Sequence, residues 1–251
     1  MRYFAHIQYN GAKFCGWQRQ PHDITIQGEL ELTLSKVLRK ETPIVGCGRT
    51  DTGVHASSYY FHFDIEEPLH PYFASKINGI LPDGIVIKSF IPVADEAHAR
   101  FDATSRSYTY HITRQRNPFR LDTSYHFPFY DKLNMELVKS AGQLLMNYEE
   151  FFPFCKTHSD VSNYKCRLDR CEWIQSSDKE ELIFEVTANR YLRGMVRLIV
   201  GMCLNVGLGK ITLQEVTAAL ETQTRLAKAH SVPPNGLFLS SVRYPYIRAG
   251  N

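Results

Sequence analysis

The sequence predicts an α+β fold in which strands and amphipathic helices interleave along the chain. Three observations carry this reading. Runs rich in β-branched and aromatic residues, such as 58–64, recur between turn residues. Between them lie segments with apolar residues three and four apart, such as Ile26, Leu30, Leu34, Val37 and Leu38. No clean repeat, low-complexity tract or long linker interrupts the pattern.

Taken in order, residues 2–9 alternate as a strand. Thr25 is placed to cap a helix, because a Thr hydroxyl accepts from the unpaired N–H groups of the first turn. Strands are expected near 43–47 and 58–64, and a short helix near 70–79. The turn Leu81-Pro82-Asp83-Gly84 leads to a strand near 85–90. Further strands are expected near 105–114 and 123–127, then a helix near 133–147 carrying Leu133, Leu137, Leu144 and Leu145. Strands near 165–176 and 181–188 precede a helix near 191–206. Thr212-Leu213-Gln214-Glu215 is a capping box opening another helix. Val232-Pro233-Pro234-Asn235-Gly236 reads as a loop, and residues 237–244 as a final strand.

At 251 residues the chain can bury a full core as one large or two small domains. Its 43% hydrophobic and 22% charged residues are ordinary for a soluble globular protein. The N-terminus has no signal-peptide core. The longest apolar region, from Met195 to Val206, is interrupted by Arg197 and Asn205 and is too short to span a membrane. The expectation is a cytoplasmic protein without membrane contact. Cysteines 15, 47, 155, 166, 171 and 203 form no C-x-x-C pair, so they do not read as a zinc site, and they are expected to be reduced.

The net charge of +3 does not by itself announce a polyanionic partner, but its distribution is uneven. No acid lies between Asp102 and Asp122, where Arg106, Arg114, Arg116 and Arg120 fall. None lies between Glu185 and Glu215, where Arg190, Arg193, Arg197 and Lys210 fall. Such stretches read either as solvated basic faces or as contacts to a phosphate backbone.

The most informative segment is Gly48-Arg49-Thr50-Asp51-Thr52-Gly53-Val54-His55-Ala56, set between two expected strands. Asp51 therefore belongs on a tight loop held by a rigid scaffold, a common place for chemistry. Asp and Gly also make ordinary turns, which is the plainest reading of such a tetrapeptide. A phosphate loop fails, because Val54-His55 stand where its Lys and Ser/Thr must be. The dinucleotide fingerprint fails too, with Asp51 where a Gly should fall. Asp51-Thr52-Gly53 is the aspartic-peptidase triplet, but it occurs once, and such enzymes share one proton between two carboxylates. Arg49 opposes that shared state by favouring an ionised Asp51.

The nonapeptide resembles the G-R-T-D-A-G-V-H-A signature of the TruA family of tRNA pseudouridine synthases, with Thr52 for the usual Ala. Tyr9-Asn10-Gly11 and Phe14-Cys15-Gly16-Trp17-Gln18-Arg19-Gln20 resemble its Y-D-G…F-x-G-W-Q-x-Q segment. The stretch from His98 to Tyr110 resembles H-A-R-F-x-A-x-x-R-x-Y-x-Y, and that from Ala188 to Gly201 resembles A-x-x-F-L-x-x-M-V-R-x-I-V-G. Gly236-Leu237-Phe238-Leu239 with Val242, Tyr244 and Pro245 resembles the closing G-L-x-L-x-x-V-x-Y-P. The matches stand in family order and span nearly the whole chain.

The resemblance implies two α/β halves sharing a mostly antiparallel sheet with a central cleft. The division would fall at residues 1–103, carrying the Asp loop, and 104–251. It implies isomerisation of uridine to pseudouridine in the tRNA anticodon arm, at positions 38, 39 and 40, by a homodimer with no cofactor and no metal. It assigns Asp51 as nucleophile, Arg197 as its ion-pair partner and Arg49 to base flipping. Tyr108, the first Tyr of R-x-Y-x-Y, is assigned to the uracil. Alone, Arg197 in its apolar segment reads equally as a snorkelling side chain. Arg190, Arg193 and Arg197 are spaced three and four apart, which on a helix puts them on one face; phosphate contact is expected for Arg190 and Arg193. His55 and His98 receive no role, and Trp17, Gln18 and Arg19 either touch RNA or shape the cleft.

Overall fold

The computed structural model describes residues 1–157 and 162–247. Among them the strands are β1 (Arg2–Tyr9), β2 (Val45–Gly46), β3 (His55–Asp64), β4 (Ile85–Val93), β5 (Ser105–Thr113), β6 (Tyr125–His126), β7 (Leu168–Gln175), β8 (Glu181–Ala188) and β9 (Leu237–Arg243). The α-helices are α1 (Ile26–Leu38), α2 (Phe73–Asn78), α3 (Met135–Leu144), α4 (Met195–Gly207) and α5 (Leu213–Thr222). The chain is therefore α+β, and it divides into two compact units.

The first unit holds Met1–Thr104 and the C-terminal stretch from Phe238. Here β1 lies between β4 and β3, antiparallel to both. The other edge of β3 is shared: β2 pairs antiparallel with Phe61 and His62, and β9 pairs in parallel with His55 and Ala56. The C-terminal strand, grouped by sequence order with the second half, is thus hydrogen-bonded into the first. Tyr59 to Phe63 are all buried, so this stretch of β3 is covered on both faces. Thr25 caps α1 by accepting from the Gly28 N–H at 3.2 Å. Arg39 closes that helix in the left-handed region at φ 54°.

The second unit is Ser105–Leu237. Strand β8 lies between β5 and β7, antiparallel to both, and β6 pairs in parallel with β5. Leu182, Phe184, Val186 and Ala188 of β8 are buried in strict alternation, the period expected of a strand with one apolar face. Helix α4 is buried nearly all round, and α3 packs against it. The contact is close because Gly207 lacks a side chain: a Cβ there would lie 2.4 Å from Val138 Cγ2. The capping box at α5 is present, with Thr212 Oγ1 accepting from Glu215 N–H at 3.1 Å and Glu215 accepting from Thr212 N–H at 2.7 Å.

Most element boundaries lie within three residues of expectation, and the largest difference is at the start of α4. Helix α4 begins at Met195 rather than near 191. Gly194, at φ 71°, occupies the N-cap in a left-handed conformation, which separates the preceding segment from the helix.

Candidate active site

In the first unit the loop from Cys47 to Val54 joins β2 to β3 and presents a half-exposed Asp51. Its shape is imposed by the segment that follows β1. The Thr50 carbonyl accepts from the Trp17 N–H at 3.1 Å, and the Thr50 hydroxyl lies 2.8 Å from that of Tyr9. Tyr59, fully buried in β3, donates its hydroxyl to the Gly48 carbonyl at 2.5 Å. Val54 N–H closes on the Asp51 carbonyl at 3.1 Å, and Gly53 N–H reaches the Phe14 carbonyl at 3.4 Å. Gly53 at φ 76° supplies the turn. The backbone from Gly48 to Val54 is therefore held at five residues while the Asp51 side chain keeps access to solvent.

Aromatic packing stiffens this cradle. Trp17 is 2% exposed and stacks on Tyr59 with centroids 4.1 Å apart. A stacked pair of this kind contributes about 0.5–1.5 kcal/mol beyond its buried area. Trp17 thus shapes the loop from the interior. His55 does likewise: its Nδ1 accepts from the Gly11 N–H at 3.0 Å, and its ring stacks on Phe238 at 4.5 Å. An accepting Nδ1 leaves the ring proton to Nε2. His98 is also structural, with Nδ1 accepting from the N–H groups of Arg100 and Phe101 at 3.1 and 3.2 Å.

Arg49 is exposed beside Asp51, and its Nε donates to Gln18 Oε1 at 3.1 Å. Gln18 in turn donates to Gln27 of α1 at 2.7 Å, and Gln27 donates to Glu31 at 2.9 Å. Arg19 pairs with Glu31 at 3.2 Å. Gln18 therefore orients Arg49, and a relay of side chains ties it to a helix.

The second unit carries the other expected residues. Tyr108 is half-buried on β5 and meets Tyr191 edge-on, with centroids 5.0 Å apart at 86°. Tyr191 donates to the Arg106 carbonyl at 3.1 Å, and burial pushes its phenol well above the usual range. Tyr110 is fully buried and donates to the Pro233 carbonyl at 2.7 Å, so of the two strand tyrosines Tyr108 has the more accessible ring. Arg197, in the first turn of α4, donates Nε to the Val232 carbonyl at 2.7 Å. The Arg197 carbonyl accepts from the Val232 N–H at 3.3 Å.

The expected single helix face of Arg190, Arg193 and Arg197 does not form. Arg190 and Arg193 precede α4, beyond the Gly194 break, and only Arg197 is helical. Arg190 binds Asn163 Oδ1 at 3.1 Å, while Arg193 is exposed. The acid-free run before Asp122 is also corrected by tertiary pairing. Arg114 meets Asp131 at 2.7 Å and Glu180 at 3.2 Å, and Arg120 meets Glu181 at 2.5 Å. The Arg120 bond is the main cause that holds Glu181 below the usual carboxylate range. Two of the four arginines are thus neutralised by acids distant in sequence.

Among the described residues no cluster of three or more His, Cys, Asp or Glu has the arrangement to hold a metal ion, and the six cysteines are free thiols. No described helix is long and apolar enough to cross a membrane. The sequence alone does not mark Tyr9, Gly16 or Tyr59 as supports of the Asp51 loop, on which Gly16 packs so closely that a Cβ there would meet the Thr50 carbonyl oxygen. The one signal for Gly16 is its place inside the F-x-G-W-Q segment; Tyr59 has none.

Residues 149–245 match the family model described as tRNA pseudouridine synthase. The chain is 43% identical over 247 residues to the tRNA pseudouridine synthase A of Azobacteroides pseudotrichonymphae, covering 97% of each. It is 42% identical to that of Parabacteroides distasonis, covering 97% of this chain and 96% of the relative. It is 35% identical to that of Bacillus subtilis, covering 97% and 99%.

Proposed function

The chain belongs to the tRNA pseudouridine synthase A family, whose members are isomerases of uridine in tRNA, and we propose that it acts on the anticodon arm through Asp51. The observation that carries this reading is the loop from Gly48 to Val54, which holds its backbone rigidly while offering one carboxylate. In the reaction the bond from ribose C1′ to uracil N1 breaks and a bond from C1′ to C5 forms. C5 loses its proton and N1 gains one, so no electrons are gained or lost and no cofactor enters the balance.

Asp51 acts as the nucleophile, and an ionised, fixed carboxylate suits that role. Arg197 is the ion-pair partner that the family resemblance assigns to it. Arg49 holds the nucleotide out of its stack, because a base within a stem must leave it to be reached. Tyr108 supplies an aromatic face for the extruded uracil, as single-stranded bases are commonly held. Arg190 and Arg193 contact phosphates. The targets are positions 38, 39 and 40, and the working form is a cytoplasmic homodimer.

Mapping pseudouridine in unmodified tRNA transcripts after incubation with the protein tests this reading. New pseudouridine at positions 38 to 40 is the expected result. Modification confined to another arm of the tRNA would overturn the assignment of target.

A further inference from the structure

We propose that the Tyr9 hydroxyl is a positioning group for turnover, acting on Asp51 through the side chain of Thr50. The inference rests on Asp51 being the reacting carboxylate, as proposed above. Tyr9 closes β1, is 4% exposed, and lies with its ring 5.5 Å from that of Tyr59 and 6.3 Å from that of Trp17. Its phenol is therefore held in one place by packing. The hydroxyl meets Thr50 Oγ1 at 2.8 Å in a buried setting. The carbonyl of the same Thr50 is bonded to Trp17 N–H at 3.1 Å. The residue directly before Asp51 is thus fixed at both its side chain and its carbonyl.

The direction of the Asp51 carboxylate follows from the backbone angles on either side of its Cα. The Val54 N–H bond to the Asp51 carbonyl sets the following side. The Tyr9–Thr50 bond sets the preceding side, and it ties the loop to a strand at the heart of the first unit. Without that bond the carboxylate spends less time where a reacting nucleotide needs it. Small displacements of this sort reduce rates steeply. Binding of the much larger tRNA, distributed over many phosphate contacts, does not depend on this one torsion.

The test is release of tritium from tRNA carrying uridine labelled at C5, under single turnover with saturating protein, together with the Kd for tRNA. Tyr9→Phe and Thr50→Val should each slow the reaction about tenfold while Kd stays within about twofold. The double variant should be no slower than the slower single, because both remove one bond. Thr50→Ser, which keeps the hydroxyl, should retain the wild-type rate. A wild-type rate in Tyr9→Phe, a double-variant loss equal to the product of the singles, or a Kd loss matching the rate loss would overturn the proposal. Asp51→Ala is run alongside. If it is inactive while Tyr9→Phe is fully active, only the positioning role fails. If Asp51→Ala itself turns over, the underlying reading fails with it.

Discussion

A Cβ on Gly16 would lie 2.6 Å from the carbonyl oxygen of Thr50. That close approach lets the segment after β1 lie directly on the Asp51 loop, and it requires glycine twice over, since Gly16 also sits at φ 82°. Gly16→Ala should therefore destabilise the protein by about 1–3 kcal/mol and lower turnover well beyond that loss of folded protein. The urea midpoint and the tritium-release rate of the same preparation check both halves.

The packing of α3 on α4 makes a prediction about compensation. Gly207→Ala pushes a methyl against Val138 Cγ2, at a separation of 2.4 Å if nothing moves. The cost should be about 1–3 kcal/mol, as for other overpacked contacts. Val138→Ala alone opens a cavity at a fully buried site. The double variant should be more stable than the sum of the two singles predicts, by about 1 kcal/mol or more. Denaturant melts of the four proteins measure this coupling, and strict additivity would contradict the contact.

His62 links stability to pH. It is 5% exposed on β3, stacks on Phe4, and accepts from the Ala99 N–H at 3.1 Å through Nδ1. Burial, with smaller contributions from Arg2 and His98, lowers its pKa to about 4; Asp64 and Asp102 oppose this weakly. In the unfolded chain it titrates near 6.5. The unfolded state thus binds the proton first, so stability is full above pH 6.5 and falls as pH drops towards 4. The loss should amount to about 1–3 kcal/mol. His62→Asn, which keeps an acceptor for Ala99, should flatten the urea midpoint between pH 7 and 4.5 relative to wild type.

The two kinds of arginine should separate in RNA binding. Arg120 is paired with Glu181 and only part-exposed, and Arg193 lies on the solvent-exposed surface ahead of α4. Arg193→Ala should weaken tRNA binding and reduce the slope of log affinity against log salt by about one. Arg120→Ala should leave affinity and slope unchanged, at a stability cost of about 1 kcal/mol. Filter binding across a salt titration distinguishes them.

These contrasts show which features are local enough to read from sequence. The caps at Thr25 and Thr212 were legible because capping is settled within four residues. The alternation of β8 was legible because one face is buried along its whole length. The start of α4 was not, because Tyr191 and Leu192 continue its apolar pattern and the left-handed Gly194 alone breaks it. The neutralisation of Arg114 and Arg120 was hidden, since Glu180 and Glu181 lie about sixty residues further along the chain. The Asp51 loop was marked by its motif, but its support by Tyr59 appears only when β3 and the loop are folded together.

The central claim is that one carboxylate, Asp51, carries the chemistry. Its most direct test is the rate at which Asp51→Ala releases tritium from tRNA labelled at uridine C5, measured at protein concentrations that saturate binding. No release above background, with tRNA still bound, is the expected result. Release at the wild-type rate would contradict it.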